Sequence, residues 1–256
     1  MNRLRLLDPA NWVTFWRPRL SHVTCVCHAA QKALLKSGLP ASKLSVVWEG
    51  CDSESLLPVA ETSSRASFDI PEDAFVVGVV ANMRAGKRID LLLEAAPELA
   101  NLRHIYWLLI GEPRDPSIEV LAADPRIADH VRLTGPLPDG GRLVGLFDVL
   151  ASPSMVEGLS MSIMEAMAKQ VCTVVSDVGG NIELIRDQVD GLVVPVGDSS
   201  ALARAIRRLL DEPLLRRELA ASAHLRSLSL FSIAGRTTRL AGVYRGLATE
   251  TGARAA

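Results

Sequence analysis

Several features are missing from this sequence, and each absence excludes a class of protein. No apolar run approaches the roughly 20 residues that a membrane-spanning helix needs. The first residues have neither a continuous apolar stretch nor a cleavage-like end, so no secretion signal is indicated. The net charge is −1, which gives no basic field to gather nucleic acid. We therefore expect a cytoplasmic protein that binds no nucleic acid.

Cysteine is also scarce, with 4 residues in a chain of 256. Cys25, Cys27, Cys51 and Cys172 are scattered, which is typical of a reducing compartment rather than of a disulfide framework. The run Cys25-Val-Cys27-His28 offers metal ligands, but no second ligand pair follows it. Buried thiols are therefore the favoured interpretation.

Strand-like and helix-like segments alternate from residue 75 onward. The apolar spacing predicts strands at 75–81, 105–110, 131–134, 147–151, 171–175 and 192–194, and helices at 89–99, 182–185, 200–210 and 214–227, besides one that starts near Gly158. This alternation predicts an α/β domain, a Rossmann-like doubly wound parallel sheet. In such folds, ligands lie beyond the carboxyl ends of the strands.

The first 70 residues follow a different pattern. One strand–helix–strand unit is predicted, at 23–27, 29–37 and 44–48, and it is too small to bury both faces of a sheet. We divide the chain into a remnant of another domain at 1–52, a linker at 53–70, a complete domain at 71–230, and a last helix with a tail at 231–256. Aromatic and basic side chains near the start are expected to cover the remnant's sheet or a missing half, with docking on an anionic membrane as the alternative: Trp12, Phe15, Trp16, Arg17 and Arg19.

The segment 155–168 carries Glu157 and Glu165, eight residues apart, in an otherwise apolar run. Apolar residues occupy almost every side of the helix predicted there, so a buried carboxylate needs either a cation of the chain or the hydroxyls of a ligand. Eight residues of helix span about 12 Å, comparable to the reach from a sugar across a diphosphate to a ribose. The alternatives are an acid favoured at a helix start for Glu157 and a surface position for Glu165.

A basic loop follows the first strand of the domain, with Arg84, Lys87 and Arg88 leading into a helix. A diphosphate leaving group needs positive charge at such a place, because its negative charge grows as the bond to the sugar breaks. A solvated basic loop is the common alternative. The diphosphate interpretation is favoured because the loop is expected on the same sheet edge as Glu157.

The segment Glu157-Gly-Leu-Ser-Met-Ser-Ile-Met-Glu165 resembles the E-x7-E motif of the retaining glycosyltransferases of family four, which have the GT-B fold. The resemblance extends through further ordered motifs: Val23 to Ala30, Glu49-Gly-Cys-Asp52, Lys87-Arg-Ile-Asp90, Val174 to Gly180, Glu183, Asp190 to Pro195, and Gly197-Asp198. It implies that residues 71–230 are the donor-binding domain and that residues 1–52 are a remnant of the acceptor-side domain.

The resemblance also implies the role of each site residue. Glu157 would hold the donor sugar, Glu165 would bind the ribose hydroxyls, and Lys87 would neutralise the diphosphate with help from Arg84. Backbone contacts to sugar and phosphates, and the border of the base, are implied for the remaining positions: Gly158, Leu159 and Ser160, and Gly111, Pro136 and Leu137. Since cations stand in for a metal, no metal and no cofactor are expected.

The sequence departs from the family pattern at several positions. Asn82 stands where the family often has Arg, Ser160 where a second Gly is frequent, and Gln170 and Cys172 replace a Gly and a Pro. Most of the acceptor domain, with its glycine-rich loop and catalytic histidine, has no counterpart here.

The resemblance therefore implies a donor-binding half that transfers a hexose from a nucleotide diphosphate sugar with retention. Such a half is expected to work poorly alone or to need a separate acceptor-domain polypeptide. One alternative is a non-catalytic nucleotide-sugar-binding or scaffold protein. Another is a nucleotide-sugar epimerase, for which the sequence offers no good acid–base pair.

Overall fold

The structure, a computed structural model, describes residues 20–51, 64–101 and 104–255. Its regular elements in chain order are β1 (Val23–Cys25), α1 (His28–Lys36), β2 (Leu44–Val46), β3 (Phe75–Val80), α2 (Ile89–Leu99), β4 (Ile105–Ile110), α3 (Ser117–Ala122), β5 (Val131–Leu133), β6 (Val149–Ser152), α4 (Met161–Ala168), β7 (Cys172–Ser176), α5 (Asn181–Leu184), β8 (Leu192–Val194), α6 (Ser199–Asp211), α7 (Pro213–Leu230) and α8 (Ile233–Ala255). Within those ranges, no helix combines the length and the apolar character that crossing a membrane requires.

The main domain is built on a parallel sheet of six strands in the order β5-β4-β3-β6-β7-β8. Strand β3 pairs with both β4 and β6, so Gly78 has Leu108 on one side and Leu150 on the other. Following the chain, β4 and β5 are added on one side of β3, and β6, β7 and β8 are then added on its other side. The boundary between β3 and β6 is therefore the topological switch point, where sheets of this kind leave a crevice at their carboxyl edge.

Alternate residues of the central strands pack into two separate cores. Val77 and Val79 of β3 lie in a cluster with side chains of α2 and α6, whereas Val76 belongs to the cluster on the opposite face, with side chains of α4 and α7. Burial on both faces is why these strands read as continuous apolar runs rather than as alternating ones. The predicted doubly wound parallel sheet is confirmed.

The short unit that precedes this domain is a parallel pair, β1 and β2, covered by α1. It is joined to the domain through Trp48, whose ring meets the Phe231 ring edge-on at a centroid distance of 5.6 Å. The Cys51 N–H donates to the Phe231 carbonyl at 2.8 Å, and Arg236 pairs with Glu49 at 2.9 Å. These contacts attach the unit to the α7–α8 junction. All four cysteines of the chain are buried.

Several element boundaries differ from those predicted by the sequence. Helix α4 begins at Met161 rather than near Gly158, because Ser160 is extended (φ −78°, ψ 118°) and serves as the N-cap. Helix α3 was not predicted, and α8 continues to Ala255, so the segment expected to be a tail is helical. The aromatic and basic residues at positions 12–19 lie outside the described part of the chain.

Residues 64–70, within the segment expected to be a linker, pack against the main domain. They include a 3₁₀ turn, Arg65–Phe68. The Arg65 guanidinium donates to the carboxylate of Asp148 and to the backbone carbonyls of Glu72, Ala74 and Leu146. This arginine therefore fixes the start of β3 against the start of β6.

Candidate functional site

Two loops meet at the switch point, one after β3 and one after β6. The first contains the 3₁₀ turn Ala85–Lys87, and the second runs through Glu157 to the N-cap Ser160. The Met155 N–H donates to the Gly86 carbonyl at 2.9 Å, which ties the loops together. Because β3 and β6 are paired neighbours, residues 70 positions apart in sequence come into contact here.

Glu157 receives a cation from the chain itself. The Lys87 Nζ lies 2.5 Å from Glu157 Oε2, and the two side chains are only 23% and 12% exposed. The Ser154 hydroxyl donates to the same Oε2 at 3.0 Å. Ser154 is buried, and its own carbonyl accepts a hydrogen bond from the Ser176 hydroxyl. The carboxylate is thus held at a defined position by two donors.

Glu165, in contrast, has no such partner. Among the residues that the structure describes, none forms an ion pair or a hydrogen bond with its carboxylate. The side chain is half-buried on α4, and burial raises the pKa of Glu165 above the ordinary value. A Cβ added to Gly141 would lie 2.3 Å from Glu165 Oε1, so the carboxylate lies directly against the Gly141 backbone. A carboxylate buried without a donor is unfavourable, so hydroxyl donors from a ligand would stabilise it.

The other predicted site residues lie in loops at this same edge of the sheet. Arg84 is exposed and immediately precedes the turn that bears Lys87, whereas Arg88 pairs with Asp90 at 3.0 Å. The Gly111 N–H donates to the Gly135 carbonyl at 2.9 Å, joining the loops that follow β4 and β5. The remaining positions range from buried to exposed: Ser160 is buried, Leu137 and Leu159 are half-buried, and Pro136 and Gly158 are exposed.

The placement of a helix amino end at Gly158 was wrong. Gly158 and Leu159 belong to the loop, and the amino end of α4 lies at Met161, three residues later. Between the two acids, only the part from Met161 to Glu165 is helical. The loop sets the rest of the distance from Glu157 to Glu165, so the helical rise alone does not give it. Phosphate contacts at Gly158 and Leu159 would come from loop N–H groups rather than from a helix end.

A glycine pair after β7 supports the loop that carries Glu157. The Gly180 N–H donates to the Glu157 carbonyl at 3.3 Å. A Cβ on Gly180 would lie 1.3 Å from the Gly158 carbonyl oxygen, and one on Gly179 would lie 2.4 Å from the Glu157 carbonyl oxygen. Only glycine allows this approach of two backbones. The adjacent glycines directly after a strand are the sequence signal for it.

Glu183 of α5 connects the N-terminal unit to this edge. Its carboxylate accepts hydrogen bonds from the N–H groups of His28 and Ala29 at 2.9 Å each and from Trp48 Nε1 at 3.1 Å. The carboxylate therefore caps the amino end of α1 and holds the turn before it beside Gly158. Sequence reasoning placed Glu183 in a motif without a role, and it missed the contribution of Ser154 because a serine at a strand end gives no distinctive signal.

Comparison with known proteins identifies the family of this chain. The family model described as "Glycosyl transferases group 1" matches residues 60–226, more than half of the chain. The alpha-D-kanosaminyltransferase of Streptomyces kanamyceticus is 32% identical over 190 residues, which are 73% of this chain and 48% of that protein. The D-inositol 3-phosphate glycosyltransferase of Salinispora arenicola is 31% identical over 202 residues, 71% of this chain and 45% of its own length. The chain spans about half the length of the curated relatives it matches.

Solved structures share the fold at lower sequence identity. A glycosyltransferase from Rickettsia africae superimposes with a TM-score of 0.83 at 20% identity, covering 94% of this chain and 68% of that one. The Anabaena protein Alr3699/HepE, solved in complex with UDP and glucose, gives a TM-score of 0.79 at 22% identity, covering 88% of this chain and 63% of that one. The six-stranded parallel sheet is thus that of a Rossmann-like domain of the GT-B fold, and the chain belongs to the group 1 glycosyl transferases.

Proposed function

We propose that this chain binds a nucleotide diphosphate sugar in the crevice between β3 and β6, as the donor half of a retaining hexosyltransferase. The observation that carries the proposal is the half-buried Glu165 carboxylate, which has no partner within the described residues. A desolvated carboxylate is unfavourable unless donors reach it. The two vicinal hydroxyls of a ribose supply such donors.

The charges across the crevice fit the remaining parts of such a ligand. Lys87, with Arg84 on the same loop, faces the diphosphate and stabilises the negative charge that develops as the sugar leaves. Glu157 accepts hydroxyls of the donor sugar, beside the loop N–H groups of Gly158 and Leu159 and the N-cap Ser160. The base lies toward the loops after β4 and β5, bordered by Gly111, Pro136 and Leu137. The cations take the place of a metal ion.

The ligand complexes of one structural neighbour support the proposal. The Anabaena protein Alr3699/HepE is described in complexes with UDP-glucose and with UDP, and it shares the fold of this chain. Its ligands make a uridine nucleotide the first to test here.

Calorimetric titration tests the proposal directly. The purified chain is titrated with UDP, GDP and ADP and with the glucose ester of each, first in buffer and then with excess EDTA. We expect saturable binding of one nucleotide and of its sugar ester, unchanged by the chelator. Absence of binding across the panel contradicts the proposed function, and loss of binding in EDTA contradicts the metal-free part of it.

Turnover separates the proposal from its rivals. The described N-terminal unit offers two short strands and one helix to an acceptor, and sugar transfer requires donor and acceptor to be held together. We therefore expect the isolated 256-residue chain to bind the donor and transfer it slowly, and a separate acceptor-domain polypeptide to raise the rate.

Proton NMR of the donor incubated with the chain alone reports three outcomes. Slow release of sugar with its initial anomeric configuration retained supports a retaining transferase. An isomerised nucleotide-sugar indicates an epimerase. Binding without any turnover, even when an acceptor-domain polypeptide is added, indicates a scaffold.

A further inference from the structure

Lys87 and Glu157 form an ion pair within the chain itself. Both Lys87 Nζ and the Ser154 hydroxyl contact Glu157 Oε2, at 2.5 Å and 3.0 Å. Within the described residues, Glu157 Oε1 has no hydrogen-bond partner. One oxygen of this carboxylate is therefore occupied twice, and the other is free to accept a hydroxyl.

We propose that Glu157 makes the site discriminate against the sugar-free nucleoside diphosphate, because it competes with the diphosphate for Lys87. The inference rests on the proposed function and adds a property to it. A diphosphate that enters competes with the carboxylate for the ammonium group of Lys87. Whether that exchange is favourable depends on what the ligand offers to Glu157 in return.

A nucleotide-sugar compensates Glu157 for the loss of Lys87. Its sugar hydroxyls donate to the carboxylate, while Ser154 keeps its hydrogen bond to Oε2 and holds the side chain in place. Lys87 is then free to contact the diphosphate. Both groups of the original ion pair keep partners in this complex, Lys87 an anion and Glu157 hydroxyl donors, so neither is left desolvated without a hydrogen bond.

The product diphosphate offers Glu157 no hydrogen bonds. When the bond between the sugar and the diphosphate oxygen breaks, the bonding electrons stay on that oxygen, and the terminal phosphate loses its ester. A terminal phosphate group carries close to two negative charges at neutral pH, since its second pKa is about 6. The added charge lies on the side that the sugar vacated, which is the side of Glu157. Repulsion between the two anions and recapture of Lys87 both favour release.

The contacts around Glu157 favour both the repulsion of the diphosphate and the recapture of Lys87. Ser154 is 1% exposed, and Ser176, which holds its carbonyl, is equally buried, so the carboxylate has little freedom to turn away from a phosphate. Lys87 lies on a loop tied to the Glu157 loop through Gly86 and Met155. The cation is therefore always within reach of the carboxylate when the sugar is gone.

Binding measurements on Glu157→Gln test the inference. The nucleotide found in the calorimetric panel is titrated with and without its sugar into the wild type and the variant. We expect the variant to bind the sugar-free diphosphate about two- to fivefold more tightly, as expected when a partly exposed ion pair is removed. We expect it to bind the nucleotide-sugar more weakly, because the amide is a poorer acceptor of hydroxyls than the carboxylate.

Further variants separate this effect from a general change of charge. Asp177→Asn removes one negative charge from an exposed side chain at the same sheet edge and should leave both affinities unchanged. In a Lys87→Met background, Glu157→Gln should give a much smaller tightening, because the competition is gone. Glu157→Ala is titrated in parallel, and the thermal midpoint of each variant is recorded to confirm folding.

The outcomes distinguish the inference from the proposed function. If Glu157→Gln and Glu157→Ala bind the diphosphate no more tightly than the wild type does, the competition does not exist and the inference is overturned, while nucleotide binding stands. Equal tightening by Asp177→Asn also overturns it, since the effect is then one of net charge. A wild type that binds no nucleotide in the panel overturns the proposed function, and the inference with it.

Discussion

Replacement of Glu165 by Gln tests the central electrostatic feature of the site. The substitution keeps the shape of the side chain beside Gly141 and removes a charge that no described residue neutralises. Two opposite effects are expected. The ligand-free protein should become slightly more stable at neutral pH, whereas the nucleotide should bind more weakly. A residue that merely packs in the core would not give this combination.

The magnitude of the binding loss follows from the hydrogen bonds that a charged acceptor makes. A hydrogen bond to a charged group contributes about 1.5–3 kcal/mol, so loss of the charge should weaken nucleotide binding about ten- to a hundredfold. Glu165→Ala, which removes every acceptor, should give the upper end of this range. The nucleoside and its diphosphate should be affected alike, because Glu165 is assigned to the ribose.

The sign of the stability effect follows from the direction of the pKa shift. Burial raises the pKa of Glu165 in the folded state above its value of 4.5 in the unfolded chain. The protonated form is therefore favoured by folding, and the stability that this provides is present below pH 4.5 and lost as the pH rises through the higher folded pKa. At pH 7 the wild type carries the full penalty of the buried charge, and Glu165→Gln does not.

Two measurements check this prediction. Urea unfolding at pH 7 should show that the Gln variant is at least as stable as the wild type, with the difference disappearing below pH 4.5. Titration calorimetry should show the loss of affinity. The matched control is Glu94→Gln, which removes an exposed carboxylate from α2. If the Gln variant instead unfolds at lower urea and binds nucleotide normally, Glu165 pairs with an internal cation and the assignment to ribose is wrong.

Three further predictions concern the supports of the site and the core. Gly180→Ala should weaken donor binding at least tenfold with intact secondary structure by circular dichroism, because its Cβ would meet the Gly158 carbonyl at 1.3 Å; unchanged calorimetry would show that the loop adjusts freely. Asp190→Asn should lower the free energy of unfolding in urea by about 2 kcal/mol, since this fully buried carboxylate accepts from Arg186 and Ser222; a Ser200→Ala variant, changed at an exposed position, should be neutral. Burial raises the pKa of Cys172 to about 12, so its thiol should not react with Ellman's reagent at pH 8 until the protein is denatured; rapid labelling of the folded chain would contradict this.

The sheet was predictable because its strands are buried on both faces. The runs at β4 and β8 and the helix α2 were predicted with the bounds that the structure shows. Their apolar spacing leaves no alternative placement, and alternation of strand and helix then requires parallel pairing. Elements with weaker patterns were missed or displaced. Helix α3 has only six residues, too few for a periodic pattern, and the start of α4 is set by the backbone of Ser160.

The site was predictable to the level of which residues share an edge. Once Lys87 and Glu157 were assigned to loops after neighbouring parallel strands, their approach followed from topology. The hydrogen-bond and ion-pair partners of the acids could not be predicted in this way. Sequence alone left open whether a buried acid is paired by the chain or by a ligand, and the structure gives a different answer for each of the two: Glu157 has Lys87, and Glu165 has no partner in the described residues. The Gly179–Gly180 pair supports the loop through contacts 22 positions apart in sequence. Ser154 is close to Glu157 in sequence, but it is itself held by Ser176, 22 positions away.

The different states of these two acids have one physical consequence for the crevice. A carboxylate that is already paired exchanges its cation when ligand binds, so its contribution depends on what the ligand returns. A carboxylate that is unpaired gains outright from any donor, because the unfavourable burial of its charge is relieved. Under the proposed function, Glu165 at the nucleotide end therefore contributes affinity, and Glu157 at the sugar end contributes discrimination. A ligand that keeps the ribose and loses the sugar should still bind, but with the Lys87–Glu157 pair opposing it.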